Sequence, residues 1–211
     1  MRNLATIPSS ITQVITDFCT SIVPASYPLF IPSNPAVNAK KGDCFHNAQT
    51  NCNIEDKTLN GWVIWQTSVH LLQAEFHCVI EHSDHSLECV TPYNRSYNEI
   101  LFLPDPKRLY ENKRTPTRYL PISDAKETQP FIDALAAIVY LEELLSSDES
   151  KEYINNPSNL QKKVELMDNI HNMEQAVDQF ERMTLKDIGP NSLCICGSEK
   201  KFKKCCGKHN N

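Results

Sequence analysis

Apolar residues recur along the chain with two periods, and the change of period divides it in two. In residues 10–22, Ile11, Val14, Ile15, Phe18 and Ile22 recur at helical spacing. Ser9 or Ser10 can cap that helix, and Pro24 and Pro28 stop it. Residues 24–41 carry four prolines and read as extended loop, after which a short helix opens near Asp43. From 61 to 103 the pattern becomes that of strands: 61–66, the long run 69–82, 86–91 and 99–105. The polar stretch from His82 to Ser86 falls between two apolar runs and reads as a turn, and residues 104–129 as a Pro- and charge-rich connection.

The second half is helical. Phe131, Leu135, Ile138, Val139 and Leu145 mark one amphipathic helix. A longer one follows Pro157, where Ser158 and Gln161 fit a capping box. Its apolar positions, Leu160, Val164, Met167, Ile170, Met173, Val177, Phe180 and Met183, form a narrow stripe about 35 Å long at the helical rise per residue. A stripe of this kind packs on its own domain or makes a seam with a partner, including a homodimer through residues 158–184. The expected fold class is α+β: an antiparallel body over 1–128, a helical segment over 129–188, and a small tail over 189–211.

Charge and cysteine set the tail apart. The chain has a net charge of −5. From Gly189 onward there are five lysines against Glu199, a charge of +4, and the remainder holds sixteen basic against twenty-five acidic residues, or −9. An acidic body argues against a nucleic-acid-binding surface there. No stretch reaches the ~20 apolar residues of a membrane span, and the N-terminus lacks the apolar run of a secretory signal. A cytoplasmic protein with no membrane span is expected. The nine cysteines fit that compartment: an odd count, five scattered through the first half and four crowded into the tail.

The four tail cysteines are Cys194, Cys196, Cys205 and Cys206, spaced C-x-C-x8-C-C. Four thiolates match one tetrahedral Zn²⁺ with no open position, hence a structural site. So short a segment has too little core to fold alone, so metal binding supplies its folding free energy. His209 is an alternative ligand. With Cys-Ile-Cys-Gly-Ser-Glu-Lys-Lys-Phe-Lys-Lys-Cys-Cys-Gly, the tail resembles the SEC-C motif, a small zinc-binding module named from the bacterial preprotein-translocase motor. The resemblance favours Cys206 over His209. It implies binding to a chaperone-like protein or to ribosomes, which the lysines around Phe202 can serve as a basic surface toward protein, ribosome or RNA.

The body carries a Cys and a His at chemically suggestive places. Cys44 opens a helix, whose dipole lowers a thiol pKa. His77 lies in the long strand run on the face shared with Glu75 and Val79, opposite Ala74, Phe76, Cys78 and Ile80. The order Cys44, His77, then a residue beside Thr91-Pro92 resembles papain-like and transglutaminase-like cysteine enzymes. The segments 42–48, 61–66, 74–79, 89–92 and 100–105 are also similar to a bacterial family of SEC-C-tailed proteins whose pattern implies no established reaction. Where that pattern has Asp, this chain has Cys89, and a thiol stabilises an imidazolium poorly. Glu88 alternates to the other face, and Asp84 sits in the turn. The resemblance implies a cysteine hydrolase, deamidase or acyl transferase acting on an amide, with Cys44 as nucleophile and His77 as base. The competing reading is a non-catalytic binding module on an inactive body. A second metal site among Cys44, His46, His77, Cys78, His82, His85 and Cys89 is a further rival, although these spacings fit no metal motif. Trp62 and Trp65 read as core or cleft wall, and Tyr93–Tyr97 as a turn without chemistry.

Overall fold

The computed structural model describes residues 4–146, 156–194 and 200–205. They form two compact units, one of residues 4–122 with the segment from 190 onward, the other of residues 123–189.

The first unit is built on a long hairpin. Strands β2 (Lys57–Thr67) and β3 (Leu71–Glu81) pair antiparallel along their whole length, from Lys57 opposite Glu81 to Thr67 opposite Leu71. Ser68 takes a left-handed φ of 52° in the three-residue connection. Alternation then sorts the side chains. Trp62, Ile64, Leu72, Ala74 and Phe76 join helix α1 (Gln13–Ile22), through Ile15, Phe18 and Cys19, in one core. Further along that face, Cys78 and Ile80 pack with Cys44 and Ala48 of helix α2 (Cys44–Asn51). Val63, Trp65 and Val79 point the other way, into a core shared with Ile31, Cys89, Ile100 and Phe102.

Strands β1 (Leu29–Pro32), β4 (Leu87–Glu88) and β5 (Glu99–Pro104) complete the order β1-β5-β2-β3-β4, every pairing antiparallel. The sheet then almost closes into a barrel. Cys89 N–H donates to Pro32 O at 2.9 Å, Asn34 N–H to Cys89 O at 2.9 Å, and Ala36 N–H to Val90 O at 3.0 Å, which ties the β4 end to β1. Strand β6 (Arg118–Pro121) pairs with Leu71–Ala74 on the β3 edge that also carries β4. Residues 75–79 of that edge lie between the two, and α2 packs there. Gly61, opposite His77, marks a close approach: a Cβ there would stand 2.3 Å from Leu103 O and 2.4 Å from the Phe102 ring.

The second unit is a helix pair, α3 (Thr128–Ser146) and α4 (Leu160–Lys186). Phe131 of α3 stacks on Phe180 of α4 with ring centres 4.1 Å apart, and Val177 and Phe180 are buried. Part of the α4 stripe is thus occupied by α3, while Val164 and Met167 stay exposed. A cavity of about 640 Å³ opens between the helices, lined by residues that include Ala134, Ala137, Leu141, Leu166 and Met173.

The sequence pattern differs from these elements at several ends. Helix α1 starts three residues late, because Thr12, not Ser9 or Ser10, accepts the Ile15 N–H. The Ser158–Gln161 capping box does not form. A 3₁₀ turn (Pro157–Asn159) precedes α4, Ser158 N–H goes to Asn156 Oδ1, and Gln161 reaches Glu165. β1 and β6 lie in segments expected to be loop. Both end in Pro, which ends a strand without costing a ladder donor. Among the described residues no helix is long and apolar enough to cross a membrane.

Candidate functional site

Three chain segments converge on the unpaired stretch of β3. Gly42, at φ 75°, turns the chain into α2, so that Cys44 becomes its first residue. Asn47 anchors this turn. Its Oδ1 accepts the Lys40 N–H at 2.9 Å, and its Nδ2 donates to Lys40 O at 2.7 Å and Thr91 Oγ1 at 3.2 Å. One buried amide therefore holds the approach to α2, the helix itself and the segment after β4. The sequence pattern contains Asn47, but its role depends on Thr91 folding back from 44 positions away.

The Cys44 thiol lies against β3, with hydrogen bonds from the backbone of Cys78 on that strand and of Phe45 in its own helix. Those bonds lower its pKa, but burial dominates and pushes the thiol up to about 12. The expectation of a thiol acidified by the helix start is therefore corrected. Near-complete removal from water, at 7 % exposure, outweighs the dipole of a two-turn helix.

His77 sits on the opposite face of β3 from Cys78, as alternation requires, but it is buried rather than cleft-facing. Its Nε2 lies 3.3 Å from Cys89 Sγ and 3.2 Å from the Tyr93 hydroxyl, and those two are 3.5 Å from each other. Cys89 Sγ also faces Thr91 O at 3.9 Å. Cys89 thus stands where a third, orienting residue would, and Tyr93, given no chemistry by the sequence pattern, joins it. Burial holds His77 down at about 3 and drives both Cys89 and Tyr93 upward, so the whole triangle is neutral near neutral pH. Among the described residues no hydrogen bond joins Cys44 to His77.

A neutral triangle has a consequence for proton transfer. A carboxylate beside Nε2 can only accept, so it fixes the proton on Nε2. A thiol and a phenol each donate or accept, so neither fixes the tautomer. Glu75, two residues along the same face, accepts the Trp65 indole N–H at 3.1 Å; desolvation raises its pKa while Arg114 lowers it. Glu88 and Asp84 are committed elsewhere, Glu88 to Asn34 and His82, Asp84 to Ser86. His82 bridges Asp56 and Glu88, and His85 bonds Glu81. The residues of the suggested second metal site are therefore dispersed, and among the described residues no group of three His, Cys, Asp or Glu side chains is placed to hold a metal ion.

The tail folds back on itself. Leu193 bridges Lys201 antiparallel, Cys194 N–H donates to Lys200 O at 2.7 Å, and Phe202 N–H to Ser192 O at 2.8 Å. A 3₁₀ turn (Phe202–Lys204) leads into Cys205, and Phe202 is buried. This reversal returns Cys205 toward Cys194, as a site drawing on thiolates from both ends of the segment needs. The donor set, soft thiolates on a short doubled-back segment, fits zinc. Cys196, Cys206 and His209 lie outside the described residues.

Residues 191–208 match the family model described as the SEC-C motif. That class of segment is a zinc-binding module, which agrees with the chemistry of the four cysteines. Neither the curated proteins nor the solved structures contain a match to the chain.

Proposed function

We propose that this chain is a zinc-dependent binding protein carried on a non-catalytic body. The tail holds one structural Zn²⁺ through Cys194, Cys196, Cys205 and Cys206. Four thiolates and the ion sum to −2, which leaves the tail at about +2 with lysines beside Phe202, a surface suited to ribosomal RNA or an acidic protein patch. The body is a papain-like or transglutaminase-like scaffold. The observation that supports its inactivity is the burial of Cys44 and His77 as neutral groups, one pushed up to about 12 and the other down to about 3. A thiolate–imidazolium pair is then far from populated near pH 7.

The pH dependence of alkylation, read at each cysteine by mass spectrometry on zinc-loaded protein, tests the body. Cys44 should alkylate more slowly than an ordinary thiol of pKa ~8.5 at every pH below 9. Fast reaction of Cys44 at pH 6–7, abolished by His77→Ala, would overturn this half of the reading. Zinc content tests the tail: one ion per chain, lost in Cys194→Ser and Cys205→Ser, with cosedimentation on ribosomes lost alongside.

A second reading keeps one supporting observation. The contact of Cys89 with His77 Nε2 supplies the base and orienting-residue half of a nucleophile–base–orienter arrangement, which favours an amide-directed cysteine hydrolase, deamidase or acyl transferase using Cys44 and His77. The same alkylation profile decides between the two.

A further inference from the structure

Five of the nine basic residues in 4–122, Lys107, Arg108, Lys113, Arg114 and Arg118, fall within twelve positions. Four of them line one cavity of about 590 Å³ in the 105–116 loop, together with Asp105 and Glu111. We infer that this loop is a binding site for a small organic anion whose phosphate or carboxylate group is held by Lys107, Arg108 and Lys113. The inference goes beyond the zinc tail and does not depend on whether Cys44 reacts.

The geometry leaves Lys107, Arg108 and Lys113 available and engages Asp105. Asp105 accepts the Trp62 indole N–H at 3.1 Å. With Asp105 and Glu111 both counted, the four bases leave the lining with a net charge of +2. Arg108 lies over the Trp62 and Phe76 rings, 5.2 and 5.4 Å from their centres, which fixes its guanidinium without consuming its N–H donors. Among the described residues the side chains of Lys107, Arg108 and Lys113 make no hydrogen bond or ion pair with protein.

The loop is also held in shape before any ligand arrives. Asp105 N–H donates to Asn60 O at 2.8 Å, Asn60 Nδ2 to Arg108 O at 2.8 Å, and Arg108 N–H to Asp105 O at 3.1 Å. Tyr110 stacks on Phe45 of α2, with ring centres 3.6 Å apart and planes 4° from parallel. A loop pinned at both β2 and α2 spends little ordering entropy on binding. A solvated charge face would instead spread its cations over the surface. The volume fits an organic molecule rather than a bare oxyanion, since a single water occupies ~30 Å³.

The Trp62 indole N–H reports on the site because Arg108 lies over its ring and Asp105 holds its proton. Its amide-type NMR signal is followed in the full zinc-loaded chain while inorganic phosphate, pyrophosphate or succinate is added at constant ionic strength. The Trp65 indole, in the other core, is the internal control. A saturable shift of Trp62 with phosphate compounds, with succinate or with both supports the site, and the tighter set names the group. Lys107→Gln with Lys113→Gln should weaken that binding at least about tenfold, the loss expected for charge-assisted hydrogen bonds. Lys40→Gln with Lys41→Gln should leave it unchanged. A shift that never saturates, equals that of chloride, or persists at full affinity in the Lys107/Lys113 double variant would overturn the proposal.

Discussion

Acidification should strike the protein first at His77. Its ring titrates near 6.5 when exposed and is held at about 3 by burial in the folded protein. Between those two values the unfolded chain binds a proton that the folded chain refuses, so stability falls as pH falls through the window. The difference of about 3.5 units is worth about 5 kcal/mol when the window is fully crossed, at ~1.4 kcal/mol per unit. Most experiments sample only part of it. From pH 7 to pH 5, the same two values give a loss of about 2 kcal/mol.

Urea unfolding followed by Trp fluorescence at pH 7, 6 and 5 measures this, with His77→Gln as reference. The variant has no titrating ring, so the wild type should lose about 2 kcal/mol more than it over that range. Other groups cancel in the difference. His82 works with opposite sign. Asp56, then Glu88, raise its pKa, so its contribution is complete below the unfolded value and fades as pH rises through the folded one. Asp56, Glu81 and Asp84 are lowered, so their contributions are lost only in more acid solution. Parallel pH profiles for wild type and variant would refute the burial argument, as would a His77 ring resonance titrating near 6.5.

Three further outcomes follow from single contacts. Gly61→Ala drives a methyl to 2.3 Å from a backbone oxygen that cannot swing away, and should cost about 1–3 kcal/mol or more in urea unfolding of the body. Phe180→Ala removes a ring that is 1 % exposed and stacked on Phe131, and should cost about 3–5 kcal/mol in the helical unit, read as loss of helical circular dichroism at lower temperature. Cys89→Asp places a carboxylate within reach of His77 Nε2 in a dry site, and should raise the His77 pKa by more than one unit by NMR titration; an unmoved pKa would show that position 89 does not govern the ring.

The parts of this architecture legible in the sequence are those written in local pattern. The β2–β3 hairpin follows from alternation on both sides of a break after Thr67, and the separation of His77 from Cys78 follows from the same period of two. The short strands β1 and β6 escape such reading. Each has four residues, and their partners, β5 and the start of β3, are distant in sequence. Tyr93 escapes it for a related reason: a polar, Tyr-flanked turn becomes a histidine partner only because the segment after β4 folds back along β1. The state of Cys44 is not legible in the sequence, because a helix start is visible there and burial is not.

The thiol at position 89, which reads in the sequence as a departure from a resembling pattern, fits its surroundings. Cys89 is fully buried, closes the sheet against β1 through its own N–H and C=O, and touches His77 and Tyr93. An ionised carboxylate there needs a compensating imidazolium, and a buried ion pair seldom recovers its desolvation cost. A thiol needs none. Thiol, phenol and imidazole then satisfy one another as neutral groups in the apolar core beside Val63, Trp65 and Phe102. Most of the basic charge of the first unit is gathered instead in the 105–116 loop and among the lysines of the tail. A quiet core with basic charge at the surface is what the proposed binding function requires, and it brings the buried Cys–His pair, the cationic cavity and the cysteine-rich tail into one account.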